Sequence, residues 1–432
     1  MKLKKLSFIS FFSIIYILVG INFFGLFNFK TDQLWGGVNT FDIFLLLSNG
    51  LFFLILLKTE LLSIILKKPF LKYFFYLYLF IIFIIITMPS RGPISILDAS
   101  RVARDYLIIP LAFLIYYDIY RNRNYNFYKK LFLFIAIFTS IQIIINAFSP
   151  ETIKALFPEV RAREGLKLGF QRNIFQTASM IFPHIACLYL LIIINDGKKN
   201  NITLSLFFIL FIASALQGFR IYFLIMLLSL ICIHRINLTF QQMIKRIAYV
   251  TIVAIAIFVF DAYYFNNQIY GKFDTTVSEL SGAQAGTLRV RYLRDQIFMY
   301  PRFYEKPLQG WGFIYYGSRY GNQIGMKSSS RDRNYSLYSI DSGYLTLLIQ
   351  FGLIGVIIIL FFIFKIIISL KHYNTNFNRS TIHLWMLLIL SLATHGAFFS
   401  IYGLLPLSIF MGLTAFVDEK SKRRRKQCEN IA

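Results

Sequence analysis

The chain has 432 residues, of which 57% are hydrophobic, 18% aromatic and 15% charged, with a formal net charge of +25. Soluble domains are about 45–50% apolar, so this composition, with a mean hydropathy of +0.61, excludes an ordinary soluble globule and points to membrane embedding. The positive charge is scattered between apolar runs instead of forming a soluble basic face, which suits lipid headgroups and phosphate-bearing substrates and speaks against nucleic acid.

The first element, MKLKKLSFISFFSIIYILVGINFF, has the basic flank of a signal peptide. Its apolar run is too long and has no small-x-small cleavage site, so it is expected to be a retained span. Apolar stretches of about 16–25 residues then recur along the chain. The expected spans are 6–29, 39–57, 70–88, 102–119, 131–148, 173–195, 202–217, 220–234, 247–265, 341–364, 381–401 and 402–417. The fold class is therefore an all-α polytopic membrane protein. It has about 12 transmembrane helices in one integral membrane domain, 1–432, and a basic tail, 418–432. Cys187 and Cys232 lie in apolar runs and Cys428 in the tail, so neither a disulfide nor a metal site is expected.

An even number of spans puts both termini on one side. Lys2, Lys4, Lys5, Lys58, Lys67, Lys68, Lys72, Arg121, Arg123, Lys129, Lys130, Lys198, Lys199 and the tail KSKRRRK fall together there. By the positive-inside rule that side is the cytoplasm. Lysine predominates on it, whereas arginine predominates on the far side. Arginine grips phosphate oxygens with a planar fork, so an arginine-rich outer face hints at an anionic ligand. Snorkelling to headgroups or pairing with acids would also account for any single one of these arginines.

In ILDASRVARDY, Arg101 and Arg104 share a helix face and are expected to neutralise Asp98 and Asp105. Arg161 and Arg163 precede the Asn173 span. Arg220 lies between two apolar runs only two residues apart, where an unpaired charge is costly, and is the leading candidate site residue. Residues 266–339 form one large loop, long enough to be functional. Within it 286–300 reads as an amphipathic helix carrying Arg289 and Arg291, and KPLQGWGF (306–313) as a Pro/Gly turn. Arg291 and Asp295, four apart, also fit a surface pair.

Asp341 opens the next apolar run. As an N-cap its carboxylate would accept from an orphan amide of the helix; as a general base it would accept a hydroxyl proton. Tyr344 and Trp311 suit sugar stacking or an interfacial aromatic belt. Gly352 and Gly355 are expected to permit close helix contact. His395 is expected to be a satisfied intramembrane histidine, with a polar substrate contact as the alternative.

Four segments, in order and spacing, resemble the O-antigen ligase and polymerase superfamily. VRAREGLKLGFQRNIFQTA (160–178) resembles its arginine, glycine and Asn-Pro-Asn segment, and Gly218-Phe219-Arg220 its Ser-Arg turn. KPLQGWGF resembles its Asn-Pro-Leu-x-Gly-x-Gly element, and DSGYLTLLIQFGLIG (341–355) the acid- or His-led helix that ends the large loop. Ligases of this superfamily carry a functional His near the end of that loop. The histidines here are His184, His234, His372, His383 and His395, all outside it, which favours the polymerase branch.

The resemblance implies transfer of a growing glycan from undecaprenyl pyrophosphate to the terminal sugar of an incoming lipid-linked repeat unit, without metal or cofactor. The work would be done on the outer face of a bacterial inner membrane. Preorganised arginine would stabilise the leaving pyrophosphate. Arg220, Asp341 and Arg289 are then the candidate catalytic residues, and Arg291, Arg161, Arg163, Asn173, Tyr344 and His395 the candidate substrate-binding ones. Implied partners are the lipid-linked oligosaccharide, membrane lipids, a chain-length regulator and a flippase. Two other readings stand beside it. One is ligase-type transfer to a lipid or protein acceptor. The other is a non-enzymatic flippase, which should show related halves and short loops; the chain shows no repeat and one lopsided loop.

Overall fold

A computed structural model describes residues 7–21, 23, 40–148, 162–167, 170–173, 181–195, 200–216, 299–314, 318–323, 343–371, 376–392 and 403–415. The chain divides into two compact units, one formed by Met1–Phe134 with Ile297–Ala432 and the other by Ile135–Gln296. Among the described residues four helices are long and apolar enough to cross a membrane: Thr40–Lys58, Pro69–Arg91, Tyr125–Ile145 and Gly343–Lys371.

In the first unit the chain order begins with α1 (Phe8–Gly20), α2 (Thr40–Lys58), α3 (Leu61–Lys67), α4 (Pro69–Arg91) and α5 (Ile96–Ala103). A 3-10 turn (Arg104–Ile108), α6 (Pro110–Asn122) and the start of α7 (Tyr125–Phe148) follow. Local chemistry sets the boundaries. Ser7 caps α1 by accepting from Ser10 N–H at 3.0 Å. Ser95 caps α5 by accepting from Asp98 N–H and donating to its carboxylate at 2.8 Å, a reciprocal capping pair. Pro69 and Pro110 open α4 and α6, where the missing N–H costs nothing.

The expected span 102–119 is not one helix. Pro110 forbids a continuous ladder, so the segment is split into the 3-10 turn and α6. At about 1.5 Å per residue α6 is only about 20 Å long, too short to cross a bilayer alone. It is buried on every side from Pro110 to Ile119, as befits a central helix.

The second unit contains an antiparallel ribbon, β1 (Ala162–Lys167) with β2 (Phe170–Asn173), in which Ala162 faces Asn173 and Lys167 faces Phe170. Its helices α8 (Phe182–Asn195) and α9 (Asn201–Leu216) pack on each other. The expected span 173–195 therefore starts later, because Asn173 belongs to a strand and the apolar helix begins at Phe182.

The first unit resumes with short helices α10 (Tyr300–Glu305) and α11 (Arg319–Gln323), both inside the large loop, then α12 (Gly343–Lys371), α13 (Asn376–Ser391) and α14 (Gly403–Ala415). α4 and α12 lie antiparallel, with Tyr73 on Phe361 at one end and Phe80 on Phe351 towards the other. α14 is buried throughout. It meets α6 where a Cβ on Gly412 would stand 2.8 Å from the Ala112 carbonyl, α1 where Leu405 faces Gly20, and α13 through Thr414 and Thr381 hydroxyls 2.7 Å apart.

Polar contacts define one end of this unit. The buried carboxylate of Asp118 accepts from Ser7 Oγ, from Ser10 Oγ at 2.5 Å, from Asn122 Nδ2 at 2.7 Å and from Tyr128 OH at 2.9 Å, tying α1, α6 and α7 together. Buried Lys68 donates to the Ala415 carbonyl at 2.6 Å, capping α14, with its ammonium 5.1 Å from the Tyr116 ring. Ser7, Lys68, Asp118 and Ala415 are thus at one end. Asp42, Arg91 and Arg104 are at the other, where Arg104 lies 3.9 Å from Asp42 and 3.6 Å from Asp105.

Asp118→Ala leaves four donors without their acceptor in a buried site. We expect a loss of at least about 2 kcal/mol, seen as a lower Tm of the detergent-solubilised protein, with Asp118→Asn in between.

Candidate functional site: the helix break at Gly352

The expected span 341–364 is found as a helix from Gly343 to Lys371 with a break at Gly352, whose φ is +65° and ψ 179°. In an unbroken helix the amides of Leu353 and Ile354 would bond the carbonyls of Ile349 and Gln350, four residues back. The break frees all four groups, and the loop 306–312 satisfies each one. Trp311 N–H donates to Ile349 O at 2.7 Å and Gly312 N–H to Gln350 O at 2.9 Å. In return Leu353 N–H donates to Pro307 O at 2.8 Å and Ile354 N–H to Leu308 O at 3.2 Å. Two intrahelical bonds are thus exchanged for four bonds to the loop, and these four backbone groups keep partners across the break.

The glycines are there for contact. A Cβ on Gly352 would be 2.3 Å from Leu308 O, and one on Gly310 (φ +65°) 2.4 Å from Gly352 N. One on Gly312 (φ +75°) would be 2.2 Å from Met88 Sδ on α4. Gly352 thus does not serve a helix–helix crossing, as the sequence suggested; it admits another stretch of backbone. Gly355 does face α4, where its Cβ would come 3.6 Å from Phe80.

Side chains lock the joint. Tyr106 OH donates to Gln350 Oε1 at 3.0 Å, and its ring packs on Phe313 and Phe351, themselves edge to face at 5.5 Å. Gly310 N–H closes the turn on Lys306 O at 3.0 Å, and Arg91 Nη1 donates to Gln309 O at 3.2 Å. α10 supports the loop from the other side. Trp311 is 6% exposed, donates from Nε1 to Arg302 O at 2.8 Å, and lies under Lys306 Nζ at 4.3 Å and the Arg302 guanidinium at 5.7 Å. Arg302 is paired with Glu305 at 3.0 Å. Among the described residues no carboxylate pairs with Lys306 or Arg91.

Beyond the break α12 has two faces: Ile359, Ile363, Ile366 and Leu370 are buried, whereas Leu353, Ile354, Ile357, Leu360, Phe361 and Phe364 are exposed. Residues 353–371 make about 28 Å of helix, the thickness of a hydrocarbon core.

Of the residues singled out by sequence, Arg220, Asp341, Arg289, Arg291, Arg161 and His395 lie outside the described residues. So do residues 286–298 of the expected helix 286–300 and the spans 220–234 and 247–265. Arg163 is on β1 and Asn173 on β2. Tyr344 is on the first turn of α12, 43% exposed, and its N–H donates to Leu392 O at 3.2 Å. Trp311 is committed to the joint and too buried to stack on a sugar. Arg101 lies 3.7 Å from Asp98, and Arg104 reaches Asp105 as its spacing suggested, with Asp42 as a further partner. Sequence reasoning passed over Arg91, Lys306, Tyr106 and Gln350. Among the described residues no group of three or more His, Cys, Asp or Glu side chains is placed to hold a metal ion. No protein-family model matches the chain, and no curated protein is significantly similar to it.

Gly352→Ala would place a Cβ against Leu308 O at a backbone angle that L-residues avoid, undocking the loop. We expect limited proteolysis within 306–314 to speed up about tenfold or more, which corresponds to at least about 1.4 kcal/mol. Gly50→Ala, on α2 with nothing within 4 Å of its Cβ, should leave the rate unchanged.

Proposed function

We propose that this chain is a polysaccharide repeat-unit polymerase of a bacterial cytoplasmic membrane. In this reading it transfers the growing glycan from undecaprenyl pyrophosphate to the terminal sugar of an incoming lipid-linked unit on the outer face. The observation that carries the reading is the joint itself. KPLQGWGF and QFGLIG, two of the segments on which the superfamily resemblance rests, are complementary halves of one backbone interlock beside the unneutralised cations Arg91 and Lys306. In this reading the membrane is crossed about 12 times. The end bearing Ser7, Lys68 and Ala415 faces the cytoplasm, which agrees with their shared location at one end of the first unit.

The chemistry follows from the leaving group. As the anomeric bond breaks, pyrophosphate gains negative charge, and a positioned guanidinium stabilises that state more than the ground state. Arg220 is assigned this role, with Arg289, Arg291, Arg161 and Arg163 as further anion contacts. Asp341, two residues before α12, is assigned as the base that accepts the acceptor hydroxyl proton. Tyr344, exposed on the first turn of α12, offers a face for a sugar ring. Asn173 and His395 are kept as polar substrate contacts.

The test is glycan chain length in a deletion strain. Loss of a polymerase leaves single repeat units on the carrier or surface; free long chains would instead identify a ligase, and units trapped inside a flippase. Complementation with wild type should restore long chains, whereas Arg220→Ala, inserted at normal levels, should lower polymer by at least about a hundredfold. Full-length chains from that variant would remove Arg220 from the mechanism.

A further inference from the structure

The docked loop has a solvation profile of its own. Its tip, Pro307, Leu308 and Gln309, is exposed, and Leu308 is 57% exposed although it is apolar. Through Leu308 O and Pro307 O the tip is bonded to Ile354 and Leu353, the first residues of the exposed apolar face of α12. Leu308 is thus tied by its backbone to the start of the stretch of α12 that exposes Ile357, Phe361 and Phe364, over the length of helix that matches a hydrocarbon core. Close to this tip in the chain or by contact are Lys306, Arg91, which donates to Gln309 O, and the exposed ring of Tyr304, stacked with Tyr300 at 6.5 Å. An exposed apolar tip next to cations and tyrosines is the mix of groups found at a bilayer boundary.

We propose that Lys306, with Arg91 beside the same turn, forms a seat for the phosphate of an anionic phospholipid, with Leu308 set among the acyl chains below it. The Trp311 ring holds the ammonium by its face, which leaves the three N–H donors of Lys306 for phosphate oxygens. Arg91 spends one nitrogen on Gln309 O and keeps the rest of its fork. Glu305 does not cancel this charge, since it is occupied by Arg302. A lipid suits the site better than a soluble anion because the seat is continuous with the lipid-exposed face of α12. The inference rests on membrane embedding and does not depend on the activity proposed above.

The test uses the full chain in vesicles of equimolar phosphatidylglycerol and phosphatidylcholine, with a benzophenone photoprobe in place of Leu308 and mass spectrometry of the lipid adducts. One cation near the surface favours an anionic lipid about fivefold, so with both Lys306 and Arg91 in place phosphatidylglycerol adducts should exceed phosphatidylcholine adducts by at least about that factor. Lys306→Ala should lower the ratio about fivefold, the share of one cation, while Lys306→Arg should retain it and guards against a folding defect in the alanine variant. Lys67→Ala, at the opposite end of the unit, should leave it intact. The proposal is overturned by an absence of lipid adducts, by a ratio near one in the wild type, or by a ratio that Lys306→Ala leaves unchanged. A ratio lost equally in Lys67→Ala, or an adduct formed only when a polyprenyl phosphate is added, overturns it as well.

Discussion

The first unit depends on where four backbone groups at Gly352 find partners. A helix in lipid satisfies its own amides and carbonyls, and a break in it exposes groups that the hydrocarbon cannot solvate, at several kcal/mol each. Here those four groups are answered one for one by the loop, so a local defect becomes a joint between the large loop and a helix long and apolar enough to cross a membrane. The positive φ of Gly310, Gly312 and Gly352 and the side-chain-free surfaces they offer are conditions for that exchange. Tyr106, Gln350 and Met88 then connect the joint to the 3-10 turn and α4, fixing one end of the unit.

The opposite end is held by charge instead of backbone exchange. Asp118 and Lys68 are buried, but each is surrounded by oriented partners: hydroxyls, an amide and a phenol for the carboxylate, a helix-terminal carbonyl and a ring face for the ammonium. Helix association in a bilayer gains little from the hydrophobic effect and relies on packing and such contacts. The unit is thus pinned at both ends, with close-packed aromatics such as Phe52, Phe74, Phe113 and Trp385 between.

Much of the helix layout was legible in the sequence because long apolar runs have few alternatives in a membrane. The runs 39–57 and 70–88 differ by a few residues from Thr40–Lys58 and Pro69–Arg91. Hydropathy could not see inside a run. It read 341–364 as one helix because a glycine that packs and a glycine that breaks look alike, and only the facing Gly-Trp-Gly tells them apart. It read 102–119 as a span because α6 is apolar on all sides, although Pro110 and the carboxylate of Asp118 were signals of a shorter, internally partnered helix. The pairing of Arg101 with Asp98 was readable from a spacing of three. The role of Arg91 was not, since it follows from a contact with Gln309, 218 positions away, nor was that of Lys306, which follows from the docking of its loop on α12. The site residues weighed most heavily by sequence, Arg220 and Asp341, lie outside the described residues, so their roles rest on sequence and chemistry.

The burial of α14 on every side has a consequence for how the protein is made. This helix fills the space between α1, α6, α7 and α13, yet it follows every other described element in the chain. During synthesis the earlier helices must wait in the bilayer around an open groove, with Lys68 lacking the Ala415 carbonyl and Ala112 lacking its close neighbour Gly412. Closure of the bundle is therefore a late step, and any factor that shields a half-built membrane protein would have its longest work at that groove.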